Sequence, residues 1–147
     1  MTISDQFNQV LREWTEVFMR RSMHDFKRFM DENGLSPSQV NALMQLHHCG
    51  DCGISDIGAH LGVTSAAASQ MVDRMVQQGL FERSEDSQDR RIRHVALTTQ
   101  GKQLIEGGIE ARRHWLEQLT STLTPEHQAA IIAALTLLTE SARKLDV

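Results

Sequence analysis

The sequence predicts a mainly α-helical fold with one small β-hairpin (α+β), in which long helices at both ends flank a compact helix-turn-helix. Three observations carry that prediction. Apolar residues recur at helical spacing near both ends, a short Gly-containing turn joins two capped helices in the middle, and the period becomes strand-like between Leu80 and Leu97. The chain's 147 residues suit one ordinary domain with helical extensions, and 40% hydrophobic content can fill its core.

The first helix is expected from Ser4 to about Asn33, with Asn33-Gly34 closing it. Phe7, Val10, Leu11, Trp14, Val17, Phe18, Phe26, Phe29 and Met30 fall at helical spacing along it. So long and aromatic a stripe cannot be buried by so small a domain alone, and it requires a partner. Ser36-Pro37-Ser38-Gln39 opens the second helix: Ser36 caps, Pro37 suits the first turn, and Gln39 reaches back as in a capping box. Val40, Leu43, Met44 and Leu46 follow, and the helix stops at Cys49-Gly50.

Ser55 is placed to cap a short helix through Leu61. Gly62-Val63 makes the turn, and Thr64 or Ser65 caps a helix ending at Gly79. In that helix Ala68, Val72 and Met75 form the inward stripe, while Ser65, Ala66, Ser69, Gln70 and Arg74 face outward. Small polar residues on an exposed face let a helix enter a groove without obstruction. Leu80–Arg83 and Ile92–Leu97 then read as strands around the polar turn Glu85–Arg90. Thr98 or Thr99 restarts a helix running to roughly Leu119 or beyond, and Thr124-Pro125-Glu126 caps a last one bearing Ile131, Ile132, Leu135 and Leu138. Within the fifth helix, Gly107-Gly108 costs about 1 kcal/mol per glycine relative to alanine. Close packing or a kink without signalling is expected there, rather than a hinge.

The net charge of −4 argues against a nucleic-acid binder until its distribution is read. Residues 1–60 carry five basic and eight acidic side chains, residues 103–147 four and six, but residues 61–102 six and five. Arg83, Arg90, Arg91, Arg93 and His94 cluster there, a cationic patch on an acidic body. No apolar run approaches the roughly 20 residues that span a bilayer. The N-terminus MTISDQFNQVLREW also lacks the basic start and apolar block of a signal peptide. A cytoplasmic location with no membrane partner follows, and it implies reduced thiols rather than a structural disulfide for Cys49 and Cys52.

Those two cysteines sit in LHHCGDCG, residues 46–53, just after two histidines. One CxxC offers usable zinc ligands but lacks the second pair of a structural site, and a redox CxxC belongs to a strand-to-helix junction of a βαβ unit, which this chain lacks. The stretch therefore reads as a turn that ends one helix and starts the next. Catalysis finds no support in a chain without a Gly-rich phosphate loop, a Tyr or a Ser/His/Asp order. His24, His60, His114 and His127 read as exposed helix residues. The expectation is a non-enzyme without cofactor or bound metal.

Residues 54–104, ISDIGAHLGVTSAAASQMVDRMVQQGLFERSEDSQDRRIRHVALTTQGKQL, resemble the MarR family of bacterial winged helix-turn-helix regulators. The resemblance rests on LGVT with VDRM in the recognition helix, GLFER entering the wing, and DRR followed by VALTTQG leaving it. The flanking helices match in length and placement. It implies a single MarR-type domain over 1–147, with 1–35 and 99–147 forming a helical dimerisation region and 36–98 a winged DNA-binding lobe. It further implies a homodimer that binds pseudo-palindromic duplex DNA, usually as a repressor, and is released by a small aromatic or phenolic effector. The effector-binding residues are unknown. Phe7, Val10, Leu11, Trp14, Ile131, Leu135 and Leu138 are the expected dimer residues.

For DNA, the resemblance places the recognition helix in the major groove and the wing in the adjacent minor groove. Thr64, Ser65, Ala66, Ser69 and Gln70 then face phosphates or base edges. Ser55 joins Thr64 at a helix N-terminus, where backbone N–H groups suit phosphates. Arg91 reaches the minor groove with Asp89 holding its guanidinium by paired hydrogen bonds, and Arg90 stands beside it. Arg74, Arg83 and Arg93 make phosphate contacts or intramolecular ion pairs. Many members resemble TVSR where this chain reads Ala67-Ala68-Ser69-Gln70, so Gln70 replaces a guanine-suited cation with an adenine-suited amide. The alternative is a thiol- or zinc-responsive sensor of the same family using Cys49 and Cys52. Peroxide-sensing members commonly use a cysteine in the first helix, which this chain lacks. Zinc-sensing members place His and Glu where it reads Ser38-Gln39-Val40-Asn41.

Overall fold

The computed structural model describes residues 2–85, 88–89 and 93–145. In chain order it contains α1 (Ile3–Asn33), α2 (Pro37–Cys49), β1 (Asp51–Gly53), α3 (Ile54–Leu61), α4 (Ser65–Gln77), β2 (Phe81–Glu85), β3 (Arg93–Leu97), α5 (Thr99–Thr122) and α6 (Pro125–Arg143). The architecture is the mainly helical α+β fold that the periodicity predicts. Two compact units, Met1–Arg112 and Arg113–Val147, divide the chain.

In the first unit, local chemistry fixes the helix starts. Thr2 accepts from the Asp5 backbone N–H at 3.1 Å, while its own N–H donates to Asp5 Oδ2 at 2.8 Å. Ser36 and Gln39 repeat that reciprocal box at the start of α2, with Pro37 in the first turn. Each box satisfies two otherwise orphaned backbone donors. Thr64 accepts from Ala67 N–H to begin α4.

Helix α3 differs from its sequence reading. Its cap is Gly53, with no side-chain hydrogen bond, so Ser55 lies one step inside the first turn and does not cap. The chain passes into α3 straight from a strand that the sequence reading did not contain. β1 pairs antiparallel with β3, Cys52 opposite Val95, and β2 pairs on the other side of β3, Phe81 opposite Leu97. The sheet order is β1-β3-β2, so the hairpin gains a third strand. Leu80 precedes β2, which extends to Glu85.

The core of this unit draws Phe26 from α1, Val40, Leu43 and Leu46 from α2, Ile57 from α3, and Val72 and Met75 from α4. Phe81, Val95 and Leu97 from the sheet and Ile105 from α5 join it, with Ala42, Cys52 and Leu80. Burying each large apolar side chain contributes about 1.5–3 kcal/mol. Two glycines set how closely α5 approaches. A Cβ on Gly101 would stand 2.1 Å from the Leu80 carbonyl oxygen, so only glycine admits the chain there. A Cβ on Gly108 would stand 2.7 Å from Cε1 of Phe29, which assigns that glycine to close helix packing. Arg112 lies over the Phe26 ring, 4.6 Å from its centroid.

In the second unit, Thr124 caps α6 and Gln128 closes the preceding turn. Gln128 Nε2 donates to the carbonyls of Thr120 and Leu123, both at 3.1 Å. No residue of α6 is buried, and Ile131, Ile132, Leu135 and Leu137 are exposed while Leu138 is half-buried.

Candidate nucleic-acid interface

Helix α4 carries opposed chemistries on its two sides. Ala68, Val72 and Met75 are buried. Ser65, Ala66, Ala67, Gln70 and Arg74 are exposed, and Ser69 is half-buried at the edge. The exposed face combines small residues with one amide and one guanidinium, so it offers donors without bulk. Gly58 of α3 makes the underlying approach possible, since a Cβ there would meet Ala68 Cβ and the Val63 carbonyl, each at 3.3 Å. Ser55 is exposed in the first turn of α3, and Thr64 is exposed at the start of α4.

The base of the hairpin is tied to that helix. Arg83 of β2 donates through Nη2 to Asp73 Oδ1 of α4. Both side chains are partly exposed, so the pair fixes geometry more than it adds stability. Sequence reading singled out Arg83 but missed Asp73; the available signal was an acid in VDRM and a base in GLFER at the two ends of one turn. Arg93 is exposed at the start of β3, opposite Glu85. Asp89 is exposed in the turn, whereas Arg90, Arg91 and Ile92 lie outside the described residues.

Beside α4 opens a groove of about 370 Å³. Ser36, Ser38 and Gln39 from the start of α2, Leu61 and Val63, and Ala67, Gln70, Met71 and Arg74 of α4 line it. The groove was not legible in the sequence, because it depends on how α2 is set against α4. Its lining pairs apolar side chains with a guanidinium and two amides.

At the opposite end of α2 the structure corrects the expectation of free thiols: Cys49 and Cys52 are joined by a disulfide. The physical reason is local. α2 ends at Cys49, Gly50 turns the chain at φ 80°, and β1 holds Cys52 so that the two Cα atoms lie 6.6 Å apart. That falls within the roughly 4.4–6.8 Å that a disulfide bridges. Among the described residues no group of three or more His, Cys, Asp or Glu is arranged to hold a metal ion. Among them, too, no helix is long and apolar enough to cross a membrane.

Comparison with known proteins places this arrangement. The family model described as MarR family matches residues 35–92, from the start of α2 into the wing. The HTH-type transcriptional repressor MdtR of Bacillus subtilis is 27% identical over 136 residues, covering 91% of this chain and 88% of that protein. The crystal structure of transcriptional regulator Tm0710 from Thermotoga maritima superposes with a TM-score of 0.81 at 25% identity, covering 95% and 96% of the two chains. A variant of MepR from S. aureus, bound to an oligodeoxyribonucleotide, shares the fold with a TM-score of 0.60 at 23% identity, covering 97% and 99%.

Proposed function

We propose that this chain, which belongs to the MarR family of transcriptional regulators, is a repressor that binds a pseudo-palindromic duplex operator as a homodimer in the cytoplasm. The observation that carries the reading is α4: a rigidly buried inner stripe presents an unobstructed outer face of Ser65, Ala66, Gln70 and Arg74. A major groove admits such a helix, and its base edges are read by amide and guanidinium side chains. The Asp73–Arg83 pair sets the wing beside it. Thr64 and Ser55 then offer helix N-termini to phosphates, Ser69 lies at the margin, and Arg93 with Asp89, Arg90 and Arg91 follows the minor groove. The repressor named MdtR, similar over most of both chains, supports the sign of regulation.

Homodimerisation is supported by apolar side chains that the chain leaves exposed. Phe7, Val10 and Trp14 on α1 and Ile131 and Leu135 on α6 are exposed, with Leu11 and Leu138 half-buried beside them. A two-fold dimer matches a palindrome. Release by a small aromatic effector has a physical route in the groove beside α4. A ligand seated there meets Gln70 and Arg74, the same side chains offered to DNA.

Selection of bound duplexes from a random pool tests this reading. A recovered inverted repeat, bound with an affinity that falls steeply with salt, supports it. Sequence-independent binding, or none, rejects it. A Gln70→Arg variant should move the preference at one base of each half-site from adenine toward guanine. An unchanged preferred sequence would remove Gln70 from the readout.

A further inference from the structure

The Cys49–Cys52 disulfide takes no part in the surface just described, yet it sits where the wing meets the body of the lobe. Its two ends differ. Cys49, the last residue of α2, is exposed, whereas Cys52 is only 8% exposed and belongs to the core. β1 sets Cys52 opposite Val95, and β3 leads back through His94 to Arg93 and the wing turn. Asp51 Oδ1 lies 3.1 Å from His94 Nδ1 across the same strand pair. With only Asp51–Gly53 in the strand, this edge has little stability of its own. The disulfide therefore staples the edge of the wing sheet to α2, whose Val40, Leu43 and Leu46 are fixed in the core.

We propose that Cys49–Cys52 is a reversible redox site: its disulfide form holds the wing for DNA binding, and its reduction by a dithiol loosens the wing and weakens binding. The inference rests on the DNA-binding reading above. A protein that works on chromosomal DNA shares a compartment with dithiol reductants, where disulfides are mostly transient, catalytic or redox-sensing. One exposed cysteine and one buried cysteine suit such an exchange. A thiolate of the dithiol attacks Cys49 Sγ, the S–S bond breaks, and its electron pair leaves on Cys52 Sγ, which takes up a proton. The reductant's second thiolate then attacks its own sulfur in the mixed disulfide. Cys49 leaves as a thiolate and is protonated, and the reductant departs as a cyclic disulfide, having delivered two electrons and two protons. A small disulfide oxidant runs the exchange in reverse.

The test uses the full chain and duplexes selected separately with oxidised and with dithiothreitol-reduced protein. Alkylation with mass spectrometry counts thiols in each sample, and fluorescence anisotropy measures affinity for the selected duplex. Oxidised protein should carry no alkylatable thiol, and reduction should expose two, with Cys49 labelled before Cys52. Affinity should fall about fivefold or more, the low end of ordinary coupling between sites, and recover on treatment with oxidised glutathione. Cys49→Ser, a surface change, should bind like reduced wild type in both buffers, and a matching thermal transition would show that it folds. Equal affinities of two wild-type forms whose thiol counts differ would overturn the switch alone. So would a Cys49→Ser protein that still responds to dithiothreitol, or thiols that stay free in disulfide oxidant. If neither form selects a duplex, the DNA-binding reading fails and the switch falls with it.

Discussion

The two ends of α1 meet different surroundings, although one uninterrupted helix carries both. Toward its C-terminus Phe26 is buried and Phe29 and Met30 pack against the same core, with Gly108 of α5 giving way to the Phe29 ring. Toward its N-terminus Phe7, Val10, Trp14 and Val17 keep 39–59% of their surface exposed. One chain thus completes the lobe that presents α4 and leaves the apolar start of α1 partly exposed. A lobe saturated by its own contacts suits a rigid reader, whereas the exposed apolar start of α1 is the surface that the proposed dimer would cover. Substitutions in the two regions should therefore act on different observables.

The largest effect belongs to the saturated region. Leu43→Ala removes a fully buried side chain and should cost about 2–5 kcal/mol in urea unfolding. A cost below 1 kcal/mol would mean that the lobe tolerates cavities and is less rigid than described. Trp14→Ala probes the uncovered region. It should weaken self-association by an amount set by roughly 1.5–3 kcal/mol per lost burial, read by sedimentation across a concentration series. Unchanged self-association would place the dimer interface elsewhere.

Gly108→Ala forces a methyl group against Phe29, a clash of about 1–3 kcal/mol that the helix preference of alanine offsets by about 1 kcal/mol, so stability should fall by up to about 2 kcal/mol. Phe29→Leu in the same chain should recover part of that loss. If it instead leaves the loss intact while effector response changes, Gly108 acts as a hinge. Asp73→Ala should lower stability by no more than about 1 kcal/mol, because its pair with Arg83 is partly exposed. Its effect on DNA affinity should be the larger, since the wing loses a tether. The smallest effect is acid fraying of the helix starts. The Thr2 backbone N–H, then its hydroxyl, hold the Asp5 carboxyl below the ordinary carboxylate range. For Glu126 its own backbone N–H leads and the Thr124 hydroxyl follows. Both folded-state values are depressed, so their contribution is present above the unfolded carboxylate range and is lost as pH falls through the folded values. Helicity measured by circular dichroism should show a slight acid decline that Asp5→Asn reduces.

What the sequence disclosed follows from how local each determinant is. α2 and α4 were readable because cap, first turn and buried stripe lie within one segment: Ser36 with Gln39, and Thr64 with Ala68, Val72 and Met75. β1 was not, because three residues rich in cysteine and glycine show no alternation, and only the β3 edge makes them a strand. The disulfide escaped for a related reason: compartment argued for thiols, while the turn at Gly50 decided the distance. At the interface, the outward side chains of α4 follow from helical period alone. The Asp73–Arg83 tether and the groove against Ser38 and Gln39 depend on tertiary placement, which no local pattern encodes.

We propose that a self-sufficient lobe reads DNA while the exposed apolar faces of α1 and α6 pair two such lobes. Sedimentation of the protein with a fluorescent duplex selected from a random pool tests both halves at once. Two chains are expected on each inverted repeat. Arg91→Ala should leave the same dimer in free solution and lower the affinity by about 1–3 kcal/mol. A single chain per duplex, or an Arg91→Ala protein that loses the dimer while binding DNA as before, would contradict it.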